Sequence, residues 1–287
     1  MKILLTGKNG QVGWELQRTL SVLGEVVALG SDELDLADPD AIVRVVRAIK
    51  PDLIVNSAAY TAVDSAESES ELAMAINARA PGILAEEARR MGALLLHYST
   101  DYVFDGSKAG AYVESDIPNP LNVYGRSKLE GERAVQAVGG RHLIFRTSWV
   151  YGLRGRNFLV TMRRLLQERE QVSVVSDQLG APTWSRWLAE ASSQIVLQCQ
   201  QMGAVSGLYH MTPSGSTSWH GFASVLRLHA QAPAEVLPIT AADYVTPALR
   251  PYNSCLDGAK LEADFRTYRP DWKHLLDLCL ADVPAAR

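Results

Sequence analysis

Tyr124 and Lys128 stand four residues apart in the run Asn122-Val123-Tyr124-Gly125-Arg126-Ser127-Lys128. On a helix, residues i and i+4 share a face, which makes the phenol and the ammonium neighbours. A nearby cation favours the phenolate and is expected to draw the tyrosine pKa down toward working pH. Such a tyrosine donates a proton to a carbonyl under reduction, or takes one back in reverse. The lysine can also hold a cofactor ribose. Chance supplies this spacing in about one chain in four of this composition, so the pair needs support from elsewhere. It is the only Tyr-x-x-x-Lys in the chain.

The support lies near the start. Gly7-Lys8-Asn9-Gly10-Gln11-Val12-Gly13 follows a short apolar run and opens a helical pattern. Glycines there permit a tight turn, let the backbone approach a pyrophosphate, and allow close helix–sheet packing. The helix N-terminus adds free N–H groups and a positive dipole end. The loop is therefore read as a dinucleotide cradle. The adenosine ribose is expected at the end of the second strand, where an acidic residue favours NAD. Gly30-Ser31 stands there instead, with Asp32 one step later. Asp35 and Leu36 either border the adenine or, for Asp35, form a solvated loop.

Two strand ends offer further groups. Ser99-Thr100-Asp101 closes one strand, and a hydroxyl there can bond a substrate carbonyl while Tyr124 protonates it; the alternative is a simple Ser/Thr turn. Asn56-Ser57-Ala58-Ala59-Tyr60 closes another, with small residues that leave room for a cofactor. Trp149 reads equally as a core aromatic or as a flat face for a substrate. His97, inside an apolar strand, reads as structural.

The elements that must position these groups follow a βαβ rhythm. Apolar runs at 3–5, 26–29, 53–55, 93–98 and 143–145 predict five buried strands of a parallel sheet. Helical patterns fall at 12–23, behind the N-cap Asp38 with Pro39, and over 71–90, where Pro81 and Gly82 are expected to split the helix. Beyond residue 150 helical stretches (157–168, 186–200) mix with strand-like pieces (172–175, 208–211), and 233–251 reads as loop with short elements. The expected class is α/β: a Rossmann-type doubly wound parallel sheet over 1–150, with segments around 187–228 returning to it. A smaller substrate-binding domain is expected over 151–287.

Bulk properties exclude several functions. The 287 residues carry a formal net charge of −4, which gives no basic footprint for nucleic acid. Three cysteines without metal or CxxC spacing fit a reducing compartment. The N-terminal apolar run is too short for a signal peptide, and no run is long enough to cross a membrane. A cytoplasmic protein is expected, with no membrane partner.

The blocks GKNGQVGWELQ, NSAAYTAVDSAE, HYSTDYVFDG, PLNVYGRSKLEGE, FRTSWVYG and GAPTW run in order along the chain. Together they resemble the dTDP-4-dehydrorhamnose reductases, a family of extended short-chain dehydrogenase/reductases. The resemblance implies reduction of the 4-keto group of dTDP-4-dehydro-β-L-rhamnose by NADPH or NADH, yielding dTDP-β-L-rhamnose for cell-surface polysaccharide. It implies Tyr124 as proton donor, Lys128 as its partner and ribose ligand, and Thr100 at the reacting oxygen. Asp101, Trp149 and Arg250 would contact the sugar nucleotide. Gly7, Gly10, Gln11, Val12 and Gly13 would lie against the pyrophosphate, Asp35 and Leu36 near the adenosine, and Ala58, Ala59 and Tyr60 along the cleft.

Two departures stand out. Some members carry an acidic residue at the Gly30 position, which leaves the NADH/NADPH choice open. Some form a metal-linked dimer through a first-helix glutamate and acidic residues after GAPT. Glu15 is present, but Arg186 replaces an expected acid, so no metal is expected and monomer and homodimer both stand. The rival readings are a sugar-nucleotide epimerase or 4,6-dehydratase, and a non-catalytic nucleotide-binding subunit. A dehydratase needs carboxylates beside the threonine, and Asp101 is single; regulatory relatives often lose the Tyr or the Lys.

Overall fold

The computed structural model describes residues 1–202 and 206–283. Strands β1 (Lys2–Thr6), β2 (Glu25–Leu29), β3 (Leu53–Asn56), β4 (Leu94–Thr100) and β5 (His142–Thr147) form one sheet with a sixth strand, Gly207–His210. The spatial order is β2-β1-β3-β4-β5 followed by Gly207–His210, and every neighbour pair is parallel. β3 and β4 are buried along their whole length. Their continuous apolar sequences follow from this, since helices cover both faces.

Helix α1 (Gln11–Thr19) leaves the glycine loop and packs against the helix Ser185–Met202. It is shorter than the predicted 12–23, because the chain turns after Thr19 and runs straight into β2. Helix α2 (Pro39–Ile49) starts as its sequence predicts: Asp38 Oδ1 accepts from the N–H groups of Asp40 and Ala41, at 2.9 and 3.1 Å, with proline in the first position.

The stretch predicted as one helix over 71–90 is split, but earlier than Pro81 and Gly82. Ser70–Met74 is α-helical, Ala75–Arg79 is a π-helical turn, and Ala80–Met91 is α-helical again. Pro81 has no N–H for the carbonyl of Asn77, and its ring crowds that carbonyl, so the break falls in the preceding turn. The widened turn leaves Asn77 facing inward, fully buried.

After β5 the chain forms a lobe of short pieces around the helices Phe158–Glu168 and Trp219–Ala230. Strand Gln171–Val175 pairs in parallel with Glu235–Ile239. Val150–Tyr151 pairs in parallel with Thr183–Trp184, and Leu179–Gly180 runs antiparallel to Thr217–Ser218. The largest apolar core joins the lobe to one face of the sheet, with Phe145, Tyr151, Leu188 and Phe222 among its members. No described helix is long and apolar enough to cross a membrane.

One buried ion pair fixes the helix Val123–Val138 against the sheet. Arg146 on β5 donates to Glu132 through Nε at 2.9 Å and Nη2 at 2.6 Å, and both side chains are 2% exposed. Ser99 Oγ on β4 donates to the same carboxylate at 2.5 Å. Removing one partner strands the other charge without water. Glu132→Ala is therefore expected to lower folding stability by about 3–5 kcal/mol. Equilibrium urea unfolding checks this; a midpoint equal to that of the unaltered protein would refute it.

Candidate active site

The glycine loop and the end of β3 meet where the strand order reverses, the usual place for a ligand in open α/β sheets. A Cβ on Gly7 would stand 2.8 Å from the backbone nitrogen of Ala58, and one on Gly13 would stand 2.0 Å from the Gly7 carbonyl oxygen. Only glycine allows this closeness. Helix α1 begins at Gly10 without a side-chain cap, so the N–H groups of Gln11, Val12 and Gly13 stay available to an anion. The Gln11 side chain is engaged elsewhere: it donates to Val150 O at 3.3 Å and accepts from Asn157 at 2.8 Å. Asp35 accepts from the N–H of Ala37 at 2.8 Å in an exposed turn, while Leu36 joins the core behind it.

The Ala58-Ala59-Tyr60 segment is clamped by a residue that the sequence reading missed. Asn77 accepts from Tyr60 N–H at 2.8 Å and donates to Tyr60 O and to Ser127 Oγ, each at 3.0 Å. It ties the cleft wall to the helix that carries Tyr124 and Lys128. Its only sequence signal was the proline four residues later.

That helix starts at Asn122, whose Oδ1 accepts from Gly125 N–H at 2.7 Å and whose Nδ2 donates to Leu249 O at 2.7 Å. Glu67 adds a further acceptor for Val123 N–H at 2.7 Å. Neither Asn122 nor Glu67 was foreseen as a positioning group. The bond to Leu249 brings the Arg250 segment to the helix that carries Tyr124 and Lys128. Arg250 donates to Asp64 Oδ2 at 2.8 Å and also bonds Thr246 and Ala248 O.

Lys128 Nζ donates to Tyr98 O at 2.6 Å and lies 3.5 Å from His97 Nε2. Burial pulls its pKa down to about 8, opposed by the charge of Glu132. Burial also pushes Tyr124 up to about 12, only partly countered by the Thr100 hydroxyl. The expected drop in the tyrosine pKa is thus reversed here. Desolvation dominates, and the Lys128 ammonium directs its short hydrogen bond to a carbonyl on β4 instead. Tyr102 meets Tyr124 edge-on at 5.8 Å.

Thr100 Oγ1 accepts from Tyr102 N–H at 3.1 Å and donates to Asp101 Oδ1 at 2.9 Å. Asp101 is 3% exposed, and its Oδ2 has no hydrogen-bond partner. Burial raises its pKa to about 7, against the opposing bonds from Thr100 and Ser254. Trp149 meets a second indole in the lobe. It is partly buried, adopts a left-handed backbone (φ 47°), and stacks on Trp219 at 3.6 Å. Trp219 lines the lobe's cavity, and Trp149 stacks on it.

A cavity of about 1040 Å³ opens in the lobe, lined by Leu121, Phe158, Gln178, Trp219, Leu249 and Arg250 among others. Its walls are mainly apolar, with Arg250 as a polar anchor, as expected of a small-molecule site. Away from the cleft, Arg186 pairs with Glu15 at 3.4 Å and with Asp282. No cluster of three metal-ligating side chains occurs among the described residues.

Residues 1–284 match the model of the RmlD substrate binding domain family. The chain is 48% identical to the dTDP-4-dehydrorhamnose reductase of Burkholderia thailandensis, with 99% of each chain covered. It is 45% identical to that of Escherichia coli K12, with 95% of each covered. This chain belongs to the dTDP-4-dehydrorhamnose reductase family. A Bacillus anthracis member solved in complex with NADP superposes with a TM-score of 0.92 at 35% identity, covering 98% of this chain and 99% of that one. A Thermus thermophilus UDP-glucose 4-epimerase shares the fold at 19% identity, with a TM-score of 0.80.

Folding raises the Asp101 pKa from the ordinary carboxylate value to about 7, so between those values the folded chain binds the extra proton. That contribution to stability is full below the unfolded pKa and is lost as pH rises through about 7. Asp101→Asn is expected to flatten the loss of stability between about pH 5 and pH 8. Urea midpoints of both proteins at the two pH values test this, and parallel changes would count against it.

Proposed function

We propose that this chain reduces the 4-keto group of dTDP-4-dehydro-β-L-rhamnose to give dTDP-β-L-rhamnose, for use in cell-surface polysaccharide. The observation that carries the proposal is the meeting of the glycine loop, Thr100, Tyr124 and Lys128 at the carboxyl ends of one parallel sheet. The narrow Gly7–Ala58 and Gly7–Gly13 approaches fit a pyrophosphate backed by helix N–H groups. Bound NADPH or NADH supplies the hydride. Gly10, Gln11, Val12 and Gly13 hold the pyrophosphate, and Lys128 the nicotinamide ribose. Asp35 and Leu36 lie on the adenosine side, and Ala58, Ala59 and Tyr60 line the cleft.

Tyr124 supplies the proton. With its pKa near 12, it keeps that proton at neutral pH, the form needed to protonate O4 of the keto sugar. Lys128 spends one N–H on Tyr98 O, and its remaining donors serve the ribose and the phenolate left behind. Thr100 can hydrogen-bond the ketone oxygen once its own hydrogen leaves Asp101. A protonated Asp101 makes this exchange possible by donating to Thr100 Oγ1, and its pKa near 7 makes that form available.

The apolar cavity takes the nucleoside, with Arg250 toward the phosphates, Asp101 at the sugar and Trp149 beside Trp219. The expected setting is the cytoplasm, where the reduced cofactor is found, with the chain acting as a monomer or a homodimer.

NAD(P)H oxidation with dTDP-4-dehydrorhamnose as substrate tests the reading. Tyr124→Phe is expected to lower turnover by roughly two orders of magnitude while cofactor binding persists. Unchanged turnover would sink the mechanism, and no oxidation by the unaltered protein would sink the function.

A further inference from the structure

The adenosine ribose of a dinucleotide lies at the end of the second strand of such a sheet, where a carboxylate commonly bonds its 2′-hydroxyl. In this chain Gly30 holds that place, and side chains from two other segments fill the space. The N–H groups of Gly7 and Lys8 both donate to the carbonyl of Leu29, at 2.9 and 3.2 Å, which binds the glycine loop to the last residue of β2. A Cβ on Gly30 would stand 3.5 Å from Lys8 Cε, 2.8 Å from Asn9 Nδ2 and 2.6 Å from Asp32 Oδ1. Gln17 donates to the Lys8 carbonyl at 2.9 Å and steadies the loop from helix α1.

The Lys8 ammonium is not free. It pairs with Glu33, whose Oε2 also accepts from Gly30 N–H at 2.9 Å. Glu33 is thereby held below the usual carboxylate range, first by the hydrogen bond from Lys8 and then by that from Gly30. As a half-exposed surface pair this contact adds little to folding. Its position is what matters: a single cation stands over the missing side chain, with Asp32 and Glu33 as the acids around it.

We propose that Lys8 is the residue that reads the 2′-phosphate of NADPH, and that Glu33 holds its ammonium there and sets how strongly the phosphate is favoured. The proposal rests on the reductase reading above. A 2′-phosphate displaces Glu33 from Lys8 and gains a charge-assisted pair, at the cost of facing two carboxylates. A 2′-hydroxyl leaves the Lys8–Glu33 pair intact. The discrimination therefore sits in a competition between two anions for one ammonium, and removing either member of the pair tilts it in a known direction.

Calorimetric titration of the unaltered protein, Lys8→Met and Glu33→Gln with NADPH and with NADH tests the assignment. Both positions are partly exposed and outside the core, so the variants should fold. Lys8→Met is expected to weaken NADPH binding about tenfold or more and to leave NADH within about twofold. Glu33→Gln is expected to tighten NADPH at least about threefold with little change for NADH. An unchanged NADPH-to-NADH affinity ratio in Lys8→Met, or equal weakening of both cofactors, would overturn the proposal alone. Failure of the unaltered protein to bind either dinucleotide would overturn the reductase reading and this proposal with it.

Discussion

Lys128 is 2% exposed, and the cost of holding its ammonium out of water organises the structure around it. Burying such a charge costs several kcal/mol unless polar groups replace its hydration. The replacement here is the Tyr98 carbonyl at 2.6 Å, an acceptor that β4 turns toward the catalytic helix. The nearest acid on the same helix is Glu132, one turn away, but its carboxylate already accepts from Arg146 and Ser99. That prior commitment matters. A free carboxylate beside Lys128 would neutralise the ammonium, whereas one shared with a guanidinium leaves most of the positive charge available to a ribose and a phenolate. The ion pair on β5 thus lets a charged lysine survive in the interior and still act.

The same pressure extends through β4 to polar groups on β3 and β1. Lys128 Nζ lies 3.5 Å from His97 Nε2, His97 Nδ1 lies 3.0 Å from the Asn56 amide, and that amide lies 2.7 Å from the Thr6 hydroxyl. All four residues are buried, so each hydrogen must find an acceptor within the row. Burial and the Lys128 charge hold His97 well below its usual pKa, and the ring is neutral. A neutral ring has one proton and one lone pair; its Nε2 faces the Lys128 ammonium and its Nδ1 faces the Asn56 amide nitrogen, while the Asn56 oxygen accepts from the Thr6 hydroxyl. The row starts beside the glycine loop and ends at Lys128, so the proposed cofactor cradle and the proposed proton-handling end share one hydrogen-bond network. The reading of His97 as structural was right about its burial, but periodicity carries no trace of what it faces.

Legibility in the sequence followed the range of the interaction. The strands of the sheet were visible because buried parallel strands need unbroken apolar runs, and the glycine loop because close backbone approach leaves no substitute for glycine. The Tyr-x-x-x-Lys pair was visible because helical spacing alone makes it a pair. What stayed hidden depends on contacts between distant segments. Asn77 could not be identified as a clamp without knowing that Pro81 widens the turn before it and aims its amide at Tyr60. Asn122 stood in the run around Tyr124 without a role, and its link to Leu249 joins residues 127 apart in the chain. The sign of the Tyr124 shift was misjudged for the same reason. Sequence shows the nearby cation, while the burial that sets the shift is a property of the folded whole.

That misjudgement bears on how the site works. Burial drives the phenol of Tyr124 up to about 12 and the ammonium of Lys128 down to about 8, so the same loss of water pushes each group toward its neutral form. At neutral pH the two shifts still leave a protonated tyrosine and a mainly charged lysine, the pairing that reduction requires. In the proposed reduction, protonating the alkoxide turns Tyr124 into a partly buried anion, and an isolated phenolate there would be costly. It becomes tolerable only as the partner of a cation that is equally short of water. Desolvation makes Tyr124 reluctant to ionise alone, but it also strengthens the attraction between phenolate and ammonium once the proton has moved. On the proposed mechanism the site therefore favours the proton transfer when a substrate oxygen is present to receive it, and resists ionisation when none is.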